Sequence, residues 1–422
     1  MYIYKKEDWQ LISYKTLPGL EQFICAFDEH CDHNVIIFHA PLGTTKACLH
    51  FERPDCDMEV LEALYTETAT AEDEVIGELI KNGKTIALNI NYLISRHDLP
   101  VEEIWDHMIA FLNEQVNFHK RRKTVNLLGL GDVGSMLTIG LKLLGGECIG
   151  EIGIFDLNDN QKSRWEMELN QITTNPDIRV KAITYDQLFD ADVFVFCASK
   201  YVPKVGEQVE DVRMIQFNEN SKIIALYAKE ARKANFKGIF AVVSDPVDLL
   251  CLSVFDASNR DDSGELDYRG LLPEQIRGYG LGVMDGRAKY YGHLMNLPYK
   301  EKGRVFGPHG SALVVSADIE AEDDVFSLQL TEQVIHANLD VRALGFKPYI
   351  APALSSGAQS IVSTLSGQWH YSATFVGGIY WGTRNRLSDY GTEYEQLRLS
   401  PDLLERIKQS YHNLEEAWAQ LK

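Results

Sequence analysis

Three glycines in Gly129-Leu130-Gly131-Asp132-Val133-Gly134 form the pattern G-x-G-x-x-G between an apolar run, TVNLLGL, and an amphipathic stretch opening at about Asp132. Glycine permits a tight turn and lets the backbone approach a pyrophosphate, which free N–H groups and the dipole of a helix N-terminus then hold. Gly129, Gly131, Asp132, Val133 and Gly134 are therefore candidate cofactor contacts. The next apolar run, CIGEIGIFD, ends on Asp156. A carboxylate there accepts hydrogen bonds from the adenosine ribose hydroxyls and repels a 2′-phosphate, which favours NAD over NADP. The plainer alternatives are a structural glycine turn and an aspartate that caps the following helix.

Further on stand Ser244-Asp245-Pro246-Val247-Asp248, Gly282-Val283-Met284-Asp285-Gly286-Arg287 and Phe306-Gly307-Pro308-His309-Gly310. Imidazole titrates near neutral pH, so His309 is the candidate proton carrier, with a structural histidine in a glycine turn as the other reading. In this order, after the nucleotide fingerprint, the three stretches resemble the N-P-V-D, L-D-x-x-R and G-x-H-G motifs of the lactate and malate dehydrogenases. The resemblance covers residues 123–415, including the tail from GIYWGTRNRLSDYG onward.

The resemblance implies hydride transfer involving NAD, matched by proton movement at His309. It implies that Asp285 holds one imidazole nitrogen and that Arg287 forks onto a substrate carboxylate. It also implies an arginine on a loop after DVFVFCA. Arg213, seven residues before Asn220, fits that place, and extra residues in the loop leave Lys200 and Lys204 as alternatives. Ser355, Ser356 and Gly357 fall where the family's substrate-shaping helix passes its pocket, with simple helix residues as the plainer reading. Two departures stand out. Asp285 and Arg287 are two apart where the family has three, which brings in Lys289 as an alternative anchor. Asp245 replaces an asparagine, and an ionised aspartate has no hydrogen to donate. Asp245 is either a pocket residue or a helix cap before Pro246.

These residues need a scaffold. From Thr124 short apolar runs alternate with helical stretches: TVNLLGL, CIGEIGIFDLN, RVKAIT, DVFVFCA and GIFAVVS. That rhythm predicts a Rossmann-type doubly wound parallel sheet over 121–247, with Ala198, Ser199, Val243 and Ser244 at strand ends lining the cofactor crevice. A charged loop, DASNRDDSGELDYRG, then leads to mixed elements, predicting an α+β substrate domain over 248–422. It closes on a helix opened by Ser400 and Pro401. Residues 1–120 read as a small mixed α/β domain without a motif that carries chemistry. NVIIFHA and KTIALNINYLI are its strands, and MEVLEALYTETATAEDEVIGELIK and VEEIWDHMIAFLNEQVNFHK its helices.

At 422 residues, 45% of them apolar, the chain has material for more than one core. Its net charge of −20 disfavours nucleic acid and anionic membranes as partners. The start, MYIYKKEDWQ, lacks the apolar run of a signal peptide, so a cytoplasmic protein is expected. Cys25, His30, Cys31, His33, His39, Cys48, His50 and Cys56 cluster near the N-terminus but lack tight ligand spacing, so no metal site is expected. The expected function is an NAD-dependent oxidoreductase interconverting a 2-oxo and a 2-hydroxy acid, a small carboxylate substrate. The alternatives are a reductase whose amine- or imine-bearing substrate is held by Asp245, and an NAD-binding sensor or assembly protein without turnover. A homo-oligomer is expected, with the N-terminal domain open to a protein partner.

Overall fold

The computed structural model describes residues 2–13, 16–17, 19–26, 34–38, 47–49, 58–66, 85–90, 105–106, 109–110, 113, 118–200, 212–321, 325–388, 391–395 and 397–421. The N-terminal elements are β1 (Tyr2–Lys6), β2 (Trp9–Ser13), β3 (Asn34–Phe38), β4 (Ala47–Leu49), helix α1 (Met58–Thr66) and β5 (Thr85–Ile90). A four-stranded sheet runs β1-β2-β3-β5, antiparallel at its first pair and parallel beyond. The expected strands at NVIIFHA and KTIALNINYLI are β3 and β5. Of the clustered cysteines and histidines, Cys25 and Cys48 fall on described backbone, whereas His30, Cys31, His33, His39, His50 and Cys56 lie outside the described residues.

The alternation beginning at Thr124 gives β6 (Lys123–Leu128), β7 (Ile149–Phe155), β8 (Arg179–Ala182), β9 (Val193–Phe196), β10 (Ile239–Val242) and β11 (Ile276–Gly278). They run parallel in the order β8-β7-β6-β9-β10-β11, two halves diverging from β6 and β9. This is the doubly wound arrangement. All residues of β9 and β10 are buried, as a parallel sheet covered on both faces requires. The helices between the strands are α2 (Asp132–Leu144), α3 (Asp159–Asn170), α4 (Val212–Lys233) and α5 (Val247–Ser258).

The second half contributes α6 (Leu281–Leu294), α7 (Tyr299–Lys302), the hairpin β12 (Arg304–Phe306) and β13 (Val314–Ser316), and α8 (Val325–Ala343). A π-helical stretch, Pro352–Gln359, runs into α9 (Ser360–Leu365). Then come β14 (His370–Val376), β15 (Ile379–Ser388), β16 (Gly391–Glu395) and α10 (Pro401–Ala419). The side chain of Ser400 caps α10 by accepting the Leu403 N–H at 3.3 Å. β14 pairs antiparallel with β11, and β15, β16 and β4 follow, giving one ten-stranded sheet.

Part of the N-terminal region is thereby built into the far end of the molecule. β4 pairs with β16, and Leu61, Leu64 and Tyr65 of α1 share a core with Phe306, Trp381, Tyr411 and Leu414. The Tyr65 hydroxyl lies 3.1 Å from that of Thr383, its ring packs edge-on to Phe306, and Lys408 pairs with Glu62 at 2.8 Å. Tyr65→Ala removes a fully buried ring and is expected to cost about 3 kcal/mol or more. Urea unfolding followed by tryptophan fluorescence checks this, since Trp381 reports on the same core; an unchanged midpoint would show α1 to be a bystander.

Candidate active site

The carboxyl ends of β6, β7, β9 and β10 open onto a cleft of about 1220 Å³, closed on the other side by α6, α8 and the segment 347–352. At its floor Gly129 adopts φ +98°, in the left-handed region, and its N–H donates to Phe155 O at 2.8 Å. A Cβ on Gly134 would stand 1.8 Å from the Gly129 carbonyl oxygen, so only glycine lets α2 leave the turn so tightly. Gly131 is the N-cap of α2 and offers no side-chain acceptor, which leaves the first N–H groups of the helix for an anion. The Asp156 carboxylate braces the turn, accepting the Leu130 N–H at 2.8 Å and the Asn158 N–H at 2.9 Å. It retains lone pairs for ribose hydroxyls and lines the cleft. The cap of α3 is Asn158, not Asp156.

The strand-end residues meet at the next two turns. Ser244 donates from its hydroxyl to Ala198 O at 2.8 Å. Asn220 of α4, almost fully buried, accepts the Lys200 N–H at 3.1 Å and donates to Asp245 O at 2.9 Å. Ala198, Ser199, Val243, Ser244 and Asp245 all line the cleft, as do Gly131, Asp132 and Val133. Arg213 lies on the backbone of the first turn of α4, Lys204 lies outside the described residues, and Lys200 is paired with Glu219 at 2.6 Å.

His309 sits in the loop joining β12 to β13, and its Nδ1 lies 2.8 Å from Asp245 Oδ1. Its backbone N–H donates to Asp248 Oδ2 at 2.9 Å. A Cβ on Gly280 would come within 2.7 Å of the His309 Cβ, so the turn into α6 must be glycine for the imidazole to reach Asp245. Asp245 does not cap α5; Pro246 holds that position without a side-chain bond. Burial pushes the carboxyl of Asp248 up to about 6, against the opposing pull of the His309 N–H.

Asp285 is not the residue that holds the imidazole. Its oxygens accept from Lys289 Nζ at 2.6 Å and from the Tyr299 hydroxyl at 3.0 Å. The partner one helical turn along draws the carboxylate away, while Asp245 occupies the place beside Nδ1. Lys289 is thereby engaged outside the cleft lining. Arg287 does line the cleft and donates to Val334 O at 3.1 Å. Ser356 accepts the Val283 N–H and donates to Gly280 O, and Gly357 packs on Leu137, so this stretch fixes helix packing. Arg342 and Lys347, also in the lining, were missed because no motif carries them; only the fold brings them there. The role of Asp248 stood closer to view, in the stretch that supplied Asp245.

A doubly wound sheet with a glycine turn and a histidine–aspartate pair on one cleft defines a dinucleotide-binding protein with a second lobe over the site. Residues 123–264 match the sequence model of the lactate/malate dehydrogenase NAD binding domain. An L-lactate dehydrogenase of Macrococcus caseolyticus is 30% identical over 195 residues, 44% of this chain and 55% of that protein. L-lactate dehydrogenase 1 of Staphylococcus aureus is 34% identical over 168 residues, 39% and 47% of the two chains. The chain thus spans about half the length of the curated relatives it matches. Among solved structures, the minor L-lactate dehydrogenase of Enterococcus mundtii superposes with TM-score 0.58 at 18% identity, covering 71% of this chain and 99% of that one. The malate dehydrogenase of Archaeoglobus fulgidus, in complex with NADH, gives the same TM-score, identity and coverage. The fold is therefore that of the lactate and malate dehydrogenases, and residues 123–264 are similar in sequence to the NAD binding domain of that family. Among the described residues no helix is long and apolar enough to cross a membrane.

The buried Asp248 makes stability depend on pH. Below about pH 4 both folded and unfolded chains hold its proton; between about 4 and 6 only the folded chain does, so its contribution to stability falls as pH rises. Relative to Asp248→Asn, the wild type is expected to lose up to roughly 3 kcal/mol across that window. Denaturation of both proteins at pH 4, 5, 6 and 7 measures the difference, and parallel curves would refute it.

Proposed function

We propose that this protein is an NAD(H)-dependent oxidoreductase interconverting a 2-oxo acid and a 2-hydroxy acid. The observation that carries the reading is the His309 Nδ1–Asp245 contact of 2.8 Å, on the same cleft as the glycine turn. The glycine turn, the uncapped start of α2 and Asp156 fit a dinucleotide whose ribose bears no phosphate. NADH, when bound there, supplies the hydride. Nδ1 is oriented by Asp245, and among the described residues Nε2 has no hydrogen-bond partner, so Nε2 is the atom that gives the proton to the substrate oxygen. Arg287 is the anchor for the substrate carboxylate. Because Asp245 is engaged by His309, a plain 2-oxo acid ranks above an amine- or imine-bearing substrate. A cytoplasmic homo-oligomer, with residues 1–120 in contact with a protein partner, completes the reading.

Screening 2-oxo acids, with and without amines, for NADH oxidation tests the proposal directly. NADH is expected to bind more tightly than NADPH, and equal affinities would remove Asp156 from its role. His309→Asn should bind NADH normally and lose on the order of a hundredfold or more in turnover. The two carboxylates separate sharply: Asp245→Asn should lower kcat about tenfold or more, the cost of one charge-assisted bond, while Asp285→Asn leaves it nearly unchanged. The opposite order would return the orienting role to Asp285. Arg287→Leu should raise KM for the carboxylate substrate far more than it lowers kcat.

A further inference from the structure

One cleft residue has an ionic partner on the phosphate-binding turn itself. Lys347, in the segment after α8, places Nζ 2.8 Å from Oδ2 of Asp132, the first residue of α2, across 215 residues of sequence. Both line the cleft. The geometry points to Lys347 as a cofactor-holding residue whose ammonium passes from Asp132 to the pyrophosphate of NAD(H) when the dinucleotide enters. The inference rests on the dinucleotide reading above and adds to it the residue through which the second lobe grips the cofactor.

The start of α2 is an anion site, because its leading N–H groups are uncapped and its dipole is positive there. Asp132 puts a carboxylate at that same end, so an arriving pyrophosphate meets a like charge. A cation must offset it; of the cleft-lining bases Lys200 is paired with Glu219, Arg287 donates to Val334 O, Arg342 stands in the last turn of α8, and Lys347 contacts Asp132. Lys347 is the base already at the turn. The Lys347 and Asp132 side chains are about half exposed, at 51% and 49%, so their pairing is screened by solvent and given up at little cost. A doubly charged pyrophosphate against the helix N-terminus is the stronger partner, and a four-carbon stem lets the ammonium follow it.

Binding to the full-length chain decides the matter, using NADH, ADP-ribose and adenosine as probes and fluorescence or calorimetry as readout. Lys347→Met should weaken NADH and ADP-ribose alike by about tenfold, the scale of one charge-assisted contact, and leave adenosine unchanged. Asp132→Asn should tighten NADH severalfold by removing the like charge. In the Asp132→Asn background Lys347→Met should still weaken NADH about tenfold. If the second substitution has no effect there, Lys347 merely neutralises Asp132 and the proposal is overturned. Equal weakening of adenosine overturns it as well, since that would reflect a disturbed cleft. A wild type that binds neither NADH nor ADP-ribose overturns the dinucleotide reading beneath it. Unchanged melting temperatures of the variants without ligand confirm that each comparison concerns binding.

Discussion

Everything at the site depends on the reversal of strand order between β6 and β9. Connections leaving these adjacent parallel strands depart to opposite faces of the sheet, so no chain covers the gap between their carboxyl ends. The glycine turn after β6, the Ala198–Ser199 turn after β9 and the Ser244–Asp245 turn after β10 therefore stand side by side around an opening. The antiparallel pairing of β11 with β14 then carries the sheet onward into the second lobe. That continuity brings the β12–β13 loop back over β10, where His309 meets Asp245. The histidine–aspartate pair thus has one member from the turn after β10 and one from the β12–β13 loop.

Three aspartates near the histidine illustrate how neighbours, not residue type, assign a role. Asp245 is half exposed and holds the imidazole nitrogen. Asp248, three residues on, is buried in α5 and takes the backbone N–H of the same histidine, fixing the loop rather than the ring. Asp285 accepts from Lys289 and Tyr299 rather than from the imidazole. Both carboxylates that hold His309 thus come from the short stretch after β10, one from the turn and one from the first turn of α5.

The sheet was legible because its signals are local: each strand from TVNLLGL to GIFAVVS is a short apolar run, and each must be buried on both faces. The nucleotide turn was legible for a related reason, since the glycine spacing encodes a backbone shape. The partner of His309 was not. Motif order suggested Asp285, but the choice between two carboxylates depends on which is drawn off by a neighbour, and Lys289 one turn along α6 decides that. Arg342 and Lys347 left no trace in the sequence because isolated bases acquire meaning only from what the fold sets opposite them. The packing of α1 against α10 was equally hidden, since an amphipathic stretch does not declare its partner.

That packing bears on the order in which the chain is made. Tyr65 meets Thr383 across 318 residues, and β4 waits for β16 as the edge it must join. A ribosome delivers α1 and β4 long before their partners exist, so an apolar helix face and an unpaired strand stay exposed while the nucleotide domain folds behind them. Contacts of such sequence separation form late and slowly, because the intervening loop must close before they return any stability. Until β16 and α10 have been made, β4 and the apolar face of α1 lack the partners they have in the folded chain.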